Sequence, residues 1–356
     1  MLDFRKELAK IAPNARKGGP IYVFGTGRYW EQIRRNYKLI TGINLEDFIE
    51  AFVDNDQQKQ NTMFYGKKIV SPQELDPNHS VVLVSAFTKD LAIERQLHEM
   101  GYYYESSCFS PGQLDQILKG YLSGQILQFR DKHKGESCFV IGNGPSLRAE
   151  DLTKLKSEIA IASNKIYLIF DKTDWRPTYY QVTDFLTFAN HKEIINKINC
   201  TKFILLDCAL YYDDYSPDID NTFYFSSNTC FLHRPYPYKT LFSSELDVLG
   251  HGNVTYCSLQ VAVNMGFHNI YLLGVENNYP KSITHDGEIV LRNLDSHFCS
   301  DYDAGRPHIS VSHPDYINAT YEVARKYADA HGIKIYNATR GGKLEVFERI
   351  DFDTLF

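Results

Sequence analysis

Twice along this chain an apolar run stops at a glycine turn and passes into helix-forming sequence, as PIYVFGTGRYWEQIRRN at 20–36 and ESCFVIGNGPSL at 136–147. A strand that leaves through a helix pairs next with a parallel strand, reached by a right-handed crossover. After the first opening come the strand-like runs DFIEAFVDND (47–56), SVVLVSAF (80–87) and YYYESSCF (102–109), with a helix from Lys89 to Met100. After the second come EIAIAS (158–163), TYYQVT (178–183), KFILLD (202–207), NTFYFS (221–226), NIYLLGV (269–275) and KIYNAT (334–339). Helices are expected over Val254–Met265 and Pro314–Ala330, and a long polar loop over 276–313. Strands alternating with helices predict an α/β protein with mostly parallel sheets. The expected organisation is a small Rossmann-like domain over 1–115, a linking helix over 116–135 and a second Rossmann-like domain over 136–356. A chain of this length suits roughly two domains.

Composition narrows function mainly by exclusion. The formal net charge is −6, from 38 basic and 44 acidic residues. That is not the basic footprint of a nucleic-acid binder. The seven cysteines, Cys108, Cys138, Cys200, Cys208, Cys230, Cys257 and Cys299, include no C-x-x-C pair, and several sit in apolar runs. Reduced thiols in a cytoplasmic protein are expected, without a disulfide framework or zinc cluster. The opening MLDFRKELAKIAPNARK lacks the apolar core of a signal peptide, and no apolar run approaches the roughly 18 residues of a membrane span. The 25 tyrosines and 22 phenylalanines suit pockets that need a flat face with a hydroxyl, and equally suit a coding bias.

Of the two glycine turns, FGTGRYW is the weaker nucleotide signal. Gly25 and Gly27 permit a tight turn at a helix N-terminus, and Asp54 ends the next strand where a ribose-binding acid would stand. The third glycine position of G-x-G-x-x-G is Trp30, which favours a structural Rossmann-like module without redox chemistry. IGNGPSL is the stronger signal. Gly142 and Gly144 keep the backbone bare, Asn143 offers an amide, Pro145 starts a helix and Ser146 adds a hydroxyl. Such a turn can receive an anion without a Walker lysine.

In an open α/β sheet, ligands collect beyond the carboxyl ends of the strands. Those ends offer Ser163-Asn164, Thr183-Asp184, Asp207 and Glu276-Asn277-Asn278. Each alone could cap a helix; together with 142–146 they read as one ligand rim. Gly252, Asn253 and Thr255 precede a buried helix and could face the same ligand. The polar loop carries His285, His297, His308 and His313 with Asp286, Asp295, Asp301 and Asp303, but no H-E-x-x-H or H-x-H spacing, so no metal ligands are assigned. DSHF, 295–298, holds the best candidate for a catalytic histidine, His297.

At IGNGPSL the sequence resembles the bacterial sialyltransferases of glycosyltransferase family 42, which open with a strand and a G-N-G-P-S-L turn. IASNK supplies that family's asparagine as Asn164, GNVTYCSLQVAVNMGFHNIYLLGVE resembles its later helix–strand block, and DSHF matches its N-S-H-Y-like loop at His297. The same segment resembles a broader family that includes the motility accessory factors that glycosylate flagellin and proteins like 6-hydroxymethylpterin diphosphokinase, whose ending is similar to GIKIYNATRGGKLEVFERIDFD. Two departures stand out. Asp184 replaces an asparagine, and the tyrosines that steady the leaving phosphate have only approximate counterparts in Tyr279 and Tyr302.

The resemblance implies an inverting glycosyltransferase with His297 as general base, oriented by Asp295 or Asp301, and with Tyr279 beside the reacting centre. Gly142, Asn143, Gly144, Pro145, Ser146, Asn164, Asp184, Gly252, Asn253, Thr255 and Glu276 would bind the sugar nucleotide, probed first as a CMP-linked nonulosonic acid. A glycan or protein would accept the sugar. No further cofactor is required, although Asp184 with Glu276 could hold Mg²⁺. Two other readings stay open: pyrophosphoryl transfer from ATP to a pterin-like alcohol, and a sugar-nucleotide-binding scaffold without catalysis. Homo-oligomerisation is also open.

Overall fold

The computed structural model describes residues 3–85, 92–103, 107–109, 117, 120–121, 124–206, 208, 221–228, 242–250, 252–284, 286–295, 297–303 and 311–356. The described residues fall into two compact units that divide near residue 121. Both are α/β, as the alternation of strands and helices predicts. The expected linking helix lies partly outside the described residues, and a short 3-10 helix, Leu127–Phe129, follows within its range.

The first unit is built on strands β1 (Ile21–Phe24), β2 (Ala51–Val53), β3 (Met63–Phe64), β4 (Lys67–Val70), β5 (Val81–Val84) and β6 (Cys108–Phe109), in the order β3-β4-β2-β1-β5-β6. All neighbours are parallel except β3 and β4. Every residue of β5 is buried, as in a sheet covered on both faces. Sequence alternation overestimates two strands. The run at 47–56 yields a 3-10 turn, Leu45–Asp47, before the short β2, and among its described residues the run at 102–109 yields only β6. The β3–β4 hairpin escapes prediction because its two-residue turn is Tyr65-Gly66, with φ of 45° and 75°. A turn of that kind is ordinarily signalled by Asn-Gly or Asp-Gly.

Trp30, at the third glycine position, is fully buried and meets Phe52 edge-on at 5.3 Å. Asp54 accepts hydrogen bonds from Thr26 Oγ1 at 2.6 Å, Lys59 Nζ at 3.0 Å and the Asp56 amide at 3.0 Å. Burial pushes its carboxyl up, but the bonds from Thr26, Asp56 and Lys59, with the lysine charge, hold it below the usual carboxylate value. A carboxyl whose pKa falls on folding contributes stability above its unfolded value, and loses it as pH drops through the folded value. Asp54→Asn is therefore expected to lower the urea midpoint at pH 7. The gap to wild type should close below about pH 4, near the unfolded aspartate value. An equal gap at pH 7 and pH 3 would show that the charge of Asp54 contributes nothing.

In the second unit, β7 (Ser137–Ile141), β8 (Ala160–Ser163), β9 (Tyr179–Val182), β10 (Thr201–Leu205), β11 (Thr222–Asn228), β12 (Val248–Gly250) and β13 (Asn269–Leu273) join β16 (Lys334–Asn337) and β17 (Glu348–Arg349) in one nine-stranded sheet. Its order is β12-β11-β10-β9-β8-β7-β13-β16-β17 and every neighbouring pair is parallel. The helix Val254–Asn264 is buried from Thr255 to its end and packs against β7, β8, β9 and β12. Its polar side chains are satisfied internally: the Gln260 carboxamide accepts from the Ser243 amide at 2.9 Å and donates to Gly250 O at 2.9 Å.

The elements that go beyond the sequence reading include the helices Ala149–Lys154 and Phe185–Asn196, strands β12 and β17, and an antiparallel hairpin of β14 (Lys281–Ile283) with β15 (Ile289–Leu291) inside the expected polar loop. No described helix is long and apolar enough to cross a membrane.

Candidate functional site

Chain order runs away from β7 in both directions, to β8 on one side and to β13 on the other. Such a reversal opens a crevice at the carboxyl ends of the strands. A cavity of about 160 Å³ lies there, lined by Asn143 and Gly144 after β7, Ser163 and Asn164 at the end of β8, and Glu276 to Tyr279 after β13. Asn253 and Thr255, at the start of the buried helix, close one side. His297, Tyr302 and Tyr321 complete the wall.

Around this cavity the asparagines carry unused acceptors. Asn143 donates its side-chain N–H to Ser163 O at 3.0 Å, which fixes the amide orientation and leaves Oδ1 buried without a hydrogen bond. Asn164 Oδ1 and Asn277 Oδ1 are likewise buried and unbonded. Asn164 and Asn277 both take left-handed φ, 49° and 51°, which asparagine tolerates better than most residues. Unbonded buried acceptors are costly unless a ligand supplies donors.

The turn after β7 is bonded within the protein. The Gly142 amide donates to Leu273 O at 2.8 Å and the Gly144 amide to Gly274 O at 3.0 Å, while Pro145 has no N–H. The Ser146 amide donates to Glu276 Oε1 at 2.8 Å, and the Ser146 hydroxyl bonds the same oxygen. A Cβ on Gly144 would fall 1.4 Å from Glu276 Oε2, and one on Gly142 would fall 2.2 Å from Gly274 O. The anion that this turn receives is thus the chain's own Glu276. The C-terminal loop holds Glu276 from behind: its carbonyl accepts from Lys343 N at 2.6 Å, and Thr339 Oγ1 accepts from the Val275 amide at 3.0 Å.

Two tyrosines bring hydroxyl donors. Burial, reinforced by Tyr321 and the Glu276 charge, pushes the Tyr279 phenol far up. Burial likewise pushes Tyr321 up to about 12, against hydrogen bonds from Asn253 and Thr255. Both therefore stay protonated near neutrality. Asn253 also caps the buried helix, its Oδ1 accepting from the Tyr256 amide at 2.8 Å. His297 stacks on Tyr302 with ring centroids 3.6 Å apart and planes at 10°.

Of the residues expected at the site, Asn143, Gly144, Asn164, Asn253, Thr255, Glu276, Tyr279 and His297 share the cavity. The others stand apart from its wall. Asp184 caps the helix Phe185–Asn196 by accepting from the Thr187 amide. The absent side chain of Gly252 makes room for the Tyr256 ring, 2.4 Å from where a Cβ would be. Gly142 packs against Gly274, Pro145 is exposed, Ser146 serves Glu276, and Asp295 is exposed. Asp207, His285 and His308 lie outside the described residues, and among those described no group of three His, Cys, Asp or Glu residues could hold a metal. Tyr321 was not anticipated. It sits on the expected helix Pro314–Ala330, where apolar spacing makes it indistinguishable from core.

Residues 113–282 match the family model described as 6-hydroxymethylpterin diphosphokinase MptE-like, which bears out the resemblance to that broader family. Residues 19–106 match the model described as C2185-like, N-terminal. No curated protein matches the chain. Among solved structures, the MAf glycosyltransferase from Magnetospirillum magneticum AMB-1 matches with 12% identity and a TM-score of 0.39, over 100% of this chain and 63% of that one. The chain thus spans less than two thirds of that protein.

Proposed function

We propose that the second unit is a glycosyltransferase that moves a nonulosonic acid, or a related sugar, from a CMP-linked donor to a glycan or protein acceptor. The observation that carries this reading is the cavity at the switch point, whose wall holds a histidine and three asparagines with buried, unbonded side-chain oxygens. Sugar and ribose hydroxyls and a base amine supply the donors that such oxygens lack, whereas a bare phosphate supplies none. His297 accepts the proton of the attacking acceptor hydroxyl, while the nucleotide leaves from the opposite face of the anomeric carbon. Tyr279 and Tyr321 donate hydrogen bonds to the leaving phosphate. Glu276 supports the turn that aims Asn143. The family model matched by residues 113–282 favours a second reading, pyrophosphoryl transfer from ATP to a pterin-like alcohol.

A thermal-shift panel separates the two, since a ligand that binds only the folded state raises its stability. With CMP, CDP, UDP, GDP and ATP, each with and without Mg²⁺, CMP is expected to raise Tm, and EDTA to leave that shift intact. A shift seen only with ATP and Mg²⁺ would transfer the assignment to the kinase reading. No shift with any nucleotide would count against both readings.

A further inference from the structure

We infer that Lys165 is a positioning residue for His297, acting through Tyr302; this rests on the proposed transfer. Lys165 follows the left-handed Asn164 at the end of β8 and is only 3% exposed. A buried ammonium is costly unless its hydrogens are bonded. Its Nζ donates to the carbonyl of Tyr302 at 2.7 Å, and its backbone N–H approaches the Tyr302 hydroxyl at 3.5 Å. One residue therefore grips both the main chain and the side chain of Tyr302, which is itself 3% exposed. The Tyr302 ring is the surface on which the His297 imidazole lies.

A second tether holds the other end of the same segment: the Phe298 amide donates to Asn143 O at 3.1 Å. His297 thus has its neighbour Phe298 tied to the turn after β7 and its stacking partner Tyr302 tied to the residue after β8. Stacking fixes the plane of the imidazole and turns its edge, where both nitrogens lie, into the part that can meet a substrate. Proton transfer needs heavy atoms within hydrogen-bond reach, and small displacements remove rate without removing binding. Lys165 touches none of the reacting atoms in this scheme.

The test uses the full chain and the variants Lys165→Met and Tyr302→Leu. The first keeps length and burial but removes the bond to Tyr302 O; the second removes the stacking surface. With a CMP-activated nonulosonic acid as donor, each is expected to lower kcat by roughly tenfold to a hundredfold. In Lys165→Met, whose side chain is not part of the cavity wall, donor KM and the CMP-induced rise in Tm should stay near wild type. Hydrogen exchange in peptides covering 297–303 should become faster in Lys165→Met. A folded Lys165→Met or Tyr302→Leu with wild-type kcat would overturn the inference, as would parallel losses in kcat and CMP binding in Lys165→Met. A wild-type chain that transfers no sugar sinks the transfer reading instead. The exchange comparison then decides alone, and unchanged exchange at 297–303 would refute the tether itself.

Discussion

Gly144→Val is expected to unfold at clearly lower urea, with an unchanged m-value, and to be rescued in part by removing Glu276. The new Cβ would land 1.4 Å from Glu276 Oε2, so the carboxylate must leave or the turn must shift. Overpacking of this kind costs roughly 1–3 kcal/mol, more where backbone cannot yield. Glu276→Ala alone strands the Ser146 amide, whose acceptor is Glu276 Oε1 at 2.8 Å. An unsatisfied buried donor costs about 1–3 kcal/mol. In the double variant the clash is gone, so the two losses should fall short of additivity by about 0.5–3 kcal/mol. Gly27→Ala is the natural control. A Cβ there meets nothing within 4 Å, and its φ of −96° suits any residue. Strict additivity in the double variant would mean that Gly144 is bare for some other reason than to admit Glu276.

The contrast between Gly27 and Gly144 marks how far sequence alone reaches. Both follow an apolar strand and precede helix-forming sequence, and that pattern suffices to predict a parallel sheet in each unit. It does not say what fills the space that a missing side chain leaves. For Gly144 the answer is a residue 132 positions further on, and for Gly142 it is the carbonyl of Gly274. Contacts across adjacent parallel strands carry no local signature. Polar residues at strand ends pose the same problem in milder form. Asn164 and Asp184 both stop an apolar run, yet Asn164 lines the cavity and Asp184 caps a helix. Tyr321 shows the reverse: it is buried on the expected helix Pro314–Ala330 like a core residue, and only the fold reveals that its hydroxyl meets Asn253, at 3.1 Å from Nδ2, beside the cavity.

His297→Ala is expected to lower transfer by roughly 10²–10⁴-fold while leaving nucleotide binding intact, the range typical of a lost general base. An acceptor hydroxyl attacks poorly while it keeps its proton, and an imidazole titrating near neutrality can take that proton at the moment of attack. Among the described loop histidines, position favours His297 for the proposed role: it lines the cavity together with Asn143, Asn164 and Glu276, whereas His313 stands at the start of the helix Pro314–Ala330, outside that wall. Asp295 and Asp301, expected to orient the ring, are both exposed, and the Tyr302 ring stacks on the imidazole. The nucleotide-induced rise in Tm and the rate must be measured on the same preparation. A retained Tm shift with the rate lost assigns His297 to the chemistry. Loss of both would make it part of the binding site. Near-wild-type turnover would send the search for the base to the remaining cavity groups, with Glu276 first among them.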